Sequence, residues 1–470
     1  MNKSLFAAVL AMPMLLAGCN LAPVYKQPAA PVSAQWPQGD AYGVSGKREH
    51  SAAADIAWRD FIRDERLRKL IALALENNRD LRVSVLNIER ARAEYGVARS
   101  QQLPQVGATV SQTANRVPDA LAPNGQATIN RQYSAGLGIS AFELDLFGKV
   151  RNQSEAGLQQ YLGTQEARRA QQISLVAEVA NAWLTLAADQ ERLRLAQDTL
   201  KSQQISYELS KRRFDAGATS GLDMYEAQTS VEAARSDMAL YTAQVAADRN
   251  ALTLLAGAEV PVELLPQDAL ASVTGMAALP EGLPSEVLVR RPDVLAAERS
   301  LQAASANIGV ARAAFFPSIS LTASAGSASG ALSGLFKEGT GAWSFVPQMT
   351  LPIFTAGANQ ARLDVAKADR DIALAQYEKS IQSAFREVAD ALAQRGTLGE
   401  RVASQAALAQ ASEKSYRIHE ARYQKGAESY LNALVSQRAL YTAQQGLIGA
   451  RLAQASNQVT LYKVLGGGWQ

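Results

Sequence analysis

Hydrophobic and polar positions follow two patterns along the chain, one with a period of two and one with helical spacing. Val106, Ala108 and Val110 alternate with glycine, threonine and serine. Similar alternation recurs in 133–141, 319–325 and 343–353. A period of two predicts strands with one apolar face and one small, polar face. We therefore predict two strand regions, at about 104–146 and at about 317–354.

Such strands suit two environments. A soluble sandwich has a solvated outer face, whereas a membrane barrel has lipid outside and water inside. The pattern supplies four strands, and a membrane barrel needs at least about eight with no open edge. If these strands span a membrane, several chains must therefore share one barrel. The loops at 117–130 and 327–341 are rich in turn residues, as expected outside the cell.

Two long segments without proline, 150–214 and 358–423, have helical character. At ~1.5 Å per residue each helix would be about 100 Å long. Apolar residues recur every seven positions, which is typical of coiled coils; in the first segment they are Val179, Leu186, Leu193, Leu200, Tyr207 and Phe214. Gly217 and Gly426 interrupt the pattern and turn the chain. We predict two helical hairpins, at about 150–256 and about 358–465.

The two halves of the chain repeat each other. Gly96-Val97-Ala98-Arg99 recurs as Gly309-Val310-Ala311-Arg312, 213 positions later, and Arg213 recurs as Arg422, 209 positions later. The sequence therefore predicts two copies of one unit, at 66–258 and 285–467, each beginning with a helix at about 66–100 or 286–313. A proline-rich linker at 259–284 joins them, and 468–470 form a short tail.

The N-terminal segment has the features of a secretion signal. A basic start precedes an apolar run that is too short to span a bilayer, so residues 1–18 are predicted to be a signal peptide. Leu16-Ala17-Gly18-Cys19 resembles the bacterial lipobox, in which the cysteine becomes lipidated, and Cys19 is the only cysteine of the chain. In enteric bacteria an aspartate after this cysteine favours retention in the inner membrane, so Asn20 permits sorting to the outer membrane. Residues 19–65 are predicted to form a lipidated, extended arm, because prolines interrupt regular structure.

Composition excludes several classes of function. The 470 residues carry a net charge of +3, which gives no basic surface for nucleic acid. One cysteine excludes a disulfide framework, and His50 and His419 lie too far apart in sequence to suggest a metal or catalytic cluster. Glu143 and Asp145 stand at a junction between elements, without an acid–base partner pattern. We expect no enzyme activity, no metal, and no cofactor apart from a covalent lipid on Cys19.

Several motifs resemble those of one family. Residues 142–151 (FELDLFGKVR) and 351–357 (LPIFTAG) resemble the strand-to-helix junctions of outer-membrane efflux factors. Residues 290–293 (RRPD) and 311–319 (ARAAFFPSI) are similar to further family signatures. The likeness covers essentially the whole mature chain. It is to the TolC superfamily, in its OprM-like lipoprotein branch.

The resemblance implies a membrane α/β fold, in which four transmembrane strands per chain form a twelve-stranded barrel in a homotrimer. A coiled-coil helical barrel would continue this barrel through the periplasm. Such a trimer is a passive exit duct for small molecules in multidrug or solvent efflux. It would lie in outer-membrane lipid and work with a periplasmic adaptor (membrane fusion protein) and an inner-membrane pump of the resistance-nodulation-division class. The alternatives are a duct for one-component protein secretion, a lipid-anchored coiled-coil scaffold without a pore, and a lipoprotein enzyme.

The resemblance also implies roles for particular residues near the hairpin turns. The adaptor-docking tips would be Gly217, Ala218, Gly426 and Ala427. The periplasmic gate would fall on Leu431 and Val435, with neighbouring helices tied by Arg422, Tyr423 and Arg438. Relatives have an acidic residue at the position of Val435, and Asn432 also replaces an acid. The gate is therefore expected to close through an apolar ring, or to draw acids from Asp223, Glu226 or Glu428.

Overall fold

The computed structural model describes residues 20–42, 56–123, 125–267 and 285–468. The chain divides into two compact units. The first comprises Met1–Ala29, Asn87–Gln165 and Ala296–Tyr377, and the second comprises Ala30–Leu86, Glu166–Leu295 and Glu378–Gln470. The predicted signal peptide, Cys19 and most of the linker lie outside the described residues.

Helices dominate the described chain, with a single small sheet among them. In chain order the elements are α1 (Trp58–Phe61), α2 (Glu65–Asn77), α3 (Arg79–Ser100), β1 (Val106–Val117), β2 (Thr128–Leu144), α4 (Lys149–Asp215), α5 (Gly221–Ala256), α6 (Pro292–Ala313), β3 (Ser318–Ser329), β4 (Gly341–Thr350), α7 (Ala358–Gln424) and α8 (Tyr430–Val464). Short 3₁₀ turns lie at Asp119–Leu121, Val262–Leu264, Ser285–Arg290 and Leu332–Gly334.

The four strands form one antiparallel sheet in the order β1-β2-β3-β4. The register places apolar residues opposite one another: Leu137 faces Ala108 and Ala325, and Ala325 faces Trp343. Residues opposite each other in a sheet lie on the same face. The other face carries small polar groups, such as the hydroxyls of Ser324 and Ser344, which are 2.8 Å apart. The sheet therefore has one apolar and one polar face.

The alternation in β2 is interrupted at Ala141, where the sequence predicted a continuous apolar row. Ala141 has a φ of +52°, and the register with β3 shifts between Ile139 and Phe142. A bulge of this kind inserts one extra residue into the strand. Phe142, which faces Leu321, thus takes the place in the apolar row that the pattern assigned to Ala141.

The last strand is shorter than the predicted run to Ile353. β4 ends at Thr350, and Pro352 follows two residues later. Proline has no N–H to donate to a neighbouring strand, so pairing stops before it. Pro347 stands within β4, opposite Leu321. Pro347 has no N–H, so it donates to no neighbouring strand at this position.

The predicted helix at 66–100 is two helices. Asn78 separates α2 from α3 with an extended backbone, at φ −60° and ψ 130°. Its side-chain oxygen accepts a hydrogen bond from the N–H of Leu81 at 2.9 Å, as an N-cap residue does. Asn78 is the local sequence signal for this break, because asparagine is a preferred N-cap residue.

Heptad positions form the core between the long helices of the second unit. Leu200 packs with Val231 and Ala234, and Tyr207 and Met238 lie against this cluster. The largest fully buried side chains of the unit include Trp183, whose indole N–H donates to the Leu264 carbonyl at 2.9 Å.

Residues 20–42 of the predicted arm have no helix or strand. In the second unit, Trp36 stacks on Phe385 with ring centroids 4.9 Å apart. The prediction of an extended arm to residue 65 is wrong at α1, which is helical. Phe61 at the end of α1 is fully buried and stacks on Tyr462 at 4.0 Å, so tertiary packing stabilises a helix too short to form alone.

Candidate functional site

The junction between β2 and α4 is built from the motif at 142–151. The Asp145 carboxylate accepts a hydrogen bond from the Arg151 N–H at 2.7 Å, and Lys149 pairs with Glu143 at 2.9 Å. Gly148 has a φ of +73°, which lets the chain turn from strand into helix. The junction lines a cavity of about 400 Å³. The two acids therefore hold the junction together, as their position in the sequence indicated.

The two hairpin turns share one backbone motif. The Gly217 N–H donates to the Phe214 carbonyl, and the Ala218 N–H to the Arg213 carbonyl, both at 2.8 Å. Gly426 and Ala427 repeat these bonds at 3.0 and 2.9 Å. This pair of hydrogen bonds is a Schellman motif, which places a residue with positive φ just after a helix. Gly217 and Gly426 have φ values of +70° and +72°, and an added Cβ would meet no atom within 4 Å at either position.

The second turn carries a cluster of charged groups. Glu428 Oε2 lies 2.9 Å from His419 Nδ1 and 3.3 Å from Arg422 Nε, and Asn432 donates to the other carboxylate oxygen at 2.8 Å. The pKa of Glu428 lies below its usual value, chiefly because His419 hydrogen-bonds to the carboxylate. The hydrogen bond from Asn432 and the nearby charges lower the pKa further. Glu428 is therefore bound within its own turn.

His419 is the residue of this cluster that sequence reasoning missed. The other histidine of the sequence, His50, lies too far away in the chain to indicate a site at His419. The available signal was local: His419 and Glu428 lie on either side of the glycine turn, nine positions apart, and the turn folds one onto the other.

The predicted gate residues lie on one face of α8. Leu431 and Val435 are 48% and 57% exposed in the single chain. Their neighbours Tyr430 and Leu434 are buried and pack on Ala227 of α5. The helix thus directs one pair of residues into a core shared by the two hairpins and presents the other pair outward.

The predicted tie residues make contacts around these helices. Arg438 of α8 donates to the Ser230 hydroxyl of α5 at 3.1 Å. Tyr423 lies 5.2 Å from the Tyr430 ring, and the Arg213 guanidinium lies 4.8 Å above the Tyr423 ring. Of the other candidate acids, Asp223 accepts a hydrogen bond from Thr219.

Among the described residues, no cluster of three or more His, Cys, Asp or Glu side chains is arranged to bind a metal ion. Across the same ranges, every helix is too short or too polar to cross a bilayer.

A sequence model of the outer membrane efflux protein family matches residues 70–258 and 283–467. The toluene efflux pump outer membrane protein TtgC of Pseudomonas putida is 49% identical over 474 residues, which cover 100% of this chain and 96% of that relative. The outer membrane protein OprJ of Pseudomonas aeruginosa is 41% identical over 470 residues, 100% of this chain and 97% of that relative.

Solved structures show the same likeness. A membrane protein from Pseudomonas aeruginosa has a TM-score of 0.87 at 40% identity and covers 96% of this chain and 98% of its own. The open state of the MtrE outer membrane channel of Neisseria gonorrhoeae has a TM-score of 0.86 at 38% identity, with coverages of 96% and 99%. The resemblance found in the junction motifs is thereby confirmed. The chain belongs to the outer membrane efflux protein family.

Proposed function

We propose that three copies of this chain form the exit duct of a tripartite efflux pump in the outer membrane. The observation that carries this proposal is the open sheet. Within the described residues, β1 and β4 each have a hydrogen-bonded neighbour on one side only, and every residue of β4 is exposed. Open strand edges are not tolerated in lipid. Pairing β4 of one chain with β1 of the next would close a barrel of twelve strands.

The two faces of the sheet support an aqueous duct. Trp343, Phe345 and Met349 of β4 are 80%, 57% and 67% exposed, which suits contact with lipid tails. The opposite face carries serine hydroxyls and glycines, which suit a water-filled lumen. Serine hydroxyls and glycines are small and uncharged, and they do not distinguish one solute from another. We infer that the inner-membrane pump, of the resistance-nodulation-division class, chooses the cargo.

The names of the relatives support the class of cargo. They are described as toluene, solvent and antibiotic efflux pump proteins. We propose apolar solvents and antibiotics for this chain as well.

The hairpin turns are the proposed contact with the periplasmic adaptor. The open space beside Gly217 and Gly426 supports this role, since a partner helix could approach the backbone there. The exposed pair Leu431 and Val435 is the proposed gate, because three copies of an outward apolar pair would form a closed ring. Cys19 is the proposed lipid attachment site, and several acyl chains would anchor the arm firmly.

The assembly and the duct are tested together. Protein extracted gently from the outer membrane should have the mass of three chains and should conduct ions in planar lipid. Expression in an efflux-deficient strain, together with a cognate pump and adaptor, should restore tolerance to toluene. A monomer that shows no ion leak would contradict the proposed duct.

A further inference from the structure

The first described residues of the arm are held at three points by helices of the first unit. The Asn20 side-chain oxygen accepts a hydrogen bond from Asn152 Nδ2 at 3.0 Å. The carbonyl of Leu21 accepts one from Arg312 Nη1, also at 3.0 Å. Asn152 is only 2% exposed, so its amide is a buried group that needs this partner.

The third point is a close crossing of two backbones. A Cβ on Gly309 would lie 2.8 Å from the backbone nitrogen of Ala22 and 2.3 Å from Asn152 Nδ2. These distances are shorter than van der Waals contact, so only glycine lets the arm cross α6 here. We call Asn152, Gly309 and Arg312 the N-terminal seat.

The seat lies where the helices join the sheet. Asn152 is in the first turn of α4, which follows β2, while Gly309 and Arg312 are in the last two turns of α6, which precedes β3. These strand ends are adjacent, since Leu144 of β2 pairs with Ile319 of β3. The arm then continues along α6, where the Tyr25 hydroxyl donates to the Glu298 carboxylate at 2.9 Å.

The repeated motif alone does not produce such a seat. Gly96 and Arg99 stand in the first copy where Gly309 and Arg312 stand in the second. A Cβ on Gly96 would meet no atom within 4 Å, and Arg99 is exposed. Ala361 occupies the position that corresponds to Asn152. The same Gly-Val-Ala-Arg motif thus binds the arm in one copy only.

We propose that the N-terminal seat positions the lipid anchor, by holding the residues that follow Cys19 at the end of the sheet so that the acyl chains enter the inner leaflet beside the barrel. This inference rests on the proposed lipidation of Cys19. One peptide bond, about 3.8 Å between Cα atoms, joins Asn20 to the residue that carries the lipid. The seat therefore holds Asn20, the first described residue of the arm, beside the ends of β2 and β3.

The experiment follows detachment of the lipid from the body of the protein. Cells are labelled with a palmitate analogue, and broken outer membranes are treated with trypsin, which cleaves after the exposed Lys26. Cleavage requires the arm to leave its seat, and it separates a labelled peptide, residues 19–26, from the rest of the chain. Gly309→Ala should release this peptide about tenfold faster than the unmodified protein, because it loses the close crossing.

Arg312→Gln should act in the same direction, and Gly96→Ala and Arg99→Gln are the matched controls, expected to release label at the original rate. Should Gly309→Ala fail to assemble, Asn152→Ala removes one hydrogen bond without adding an atom and should still accelerate release. Equal rates in seat and control variants would overturn the proposal. If the wild-type protein takes up no palmitate label, the proposal is overturned as well. The conductance of the same preparation tests the proposed duct separately.

Discussion

The side-chain amide of Asn78 donates a hydrogen bond of 2.9 Å to the carbonyl of Leu255. Arg291 and Val464 occupy the corresponding positions of the predicted second copy, and there the guanidinium donates to the carbonyl at 2.8 Å. Carbonyls in the last turn of a helix lack a partner within that helix. In each predicted copy, a side chain at the start of one helix therefore donates a hydrogen bond to an otherwise unpaired carbonyl at the end of another helix.

Arg291→Ala should destabilise the second unit. Arg291 is 9% exposed at its side chain and also pairs with Asp293 at 2.7 Å and Glu387 at 2.8 Å. The loss is expected to be about 2 kcal/mol, because both partners remain partly solvated while the Val464 carbonyl loses its donor. Thermal unfolding followed by circular dichroism measures it. Arg79→Ala changes an exposed arginine and should have little effect; equal shifts in both variants would contradict the assigned role.

Alanine should have opposite effects at Gly426, which forms the second hairpin turn, and at Gly399, which lies inside α7. Gly426→Ala forces a side chain into a φ of +72° and should cost about 1–2 kcal/mol. Gly399 lies on an exposed position inside α7, where an added Cβ meets no atom within 4 Å. Gly399→Ala should therefore stabilise the helix by about 1 kcal/mol. The midpoint of chemical or thermal unfolding distinguishes the two signs, and destabilisation at both positions would count against this explanation.

Asp248→Asn should stabilise the protein at neutral pH. Burial, together with the neighbouring Asp189 carboxylate, raises the pKa of Asp248 to about 6. An acid whose pKa is higher in the folded state keeps its proton longer there than in the unfolded state. Its contribution to stability therefore falls as pH rises from about 4 to 6.

The expected gain for Asp248→Asn at pH 7 is about 1 kcal/mol, because Asp248 is partly exposed and solvent weakens the effect. The predicted second copy has an amide at the corresponding position, Asn457, which donates to the Ala391 carbonyl at 3.0 Å. The free energy of unfolding should differ less between pH 4 and pH 7 in the variant than in the wild-type protein. Asp198→Asn, at an exposed position of α4, is the control, and the proposed cause fails if both variants behave alike.

Leu431→Ala combined with Val435→Ala should raise the single-channel conductance. Both changes remove apolar volume from the outward face of α8 and leave the buried neighbours Tyr430 and Leu434 intact. Leu408→Ala is a matched control, since Leu408 on α7 is 50% exposed against 48% for Leu431. Unchanged conductance in the double variant would place the gate elsewhere in the channel.

Local pattern was a good guide wherever one residue type decides a backbone feature. Glycine at 217 and 426 indicated the turns, since few other residues adopt a positive φ. Alternation indicated the strands, and the junction motif indicated the family. Pattern failed at Ala141, whose N–H donates to the Thr322 hydroxyl at 3.1 Å, and at Asn78, which caps α3 and donates to the distant Leu255 carbonyl.

The amino-acid sequence by itself determined the family, the two faces of the sheet and the heptad contacts of the long helices, because periodicity and turn chemistry act over short distances along the chain. Tertiary structure decided which of two equivalent glycines contacts the N-terminal arm. Gly96 and Gly309 share the same motif, yet the arm crosses only at Gly309, because the crossing depends on Asn152 and Ala22 from elsewhere in the chain. Contacts between residues far apart in sequence have no signature in the local pattern.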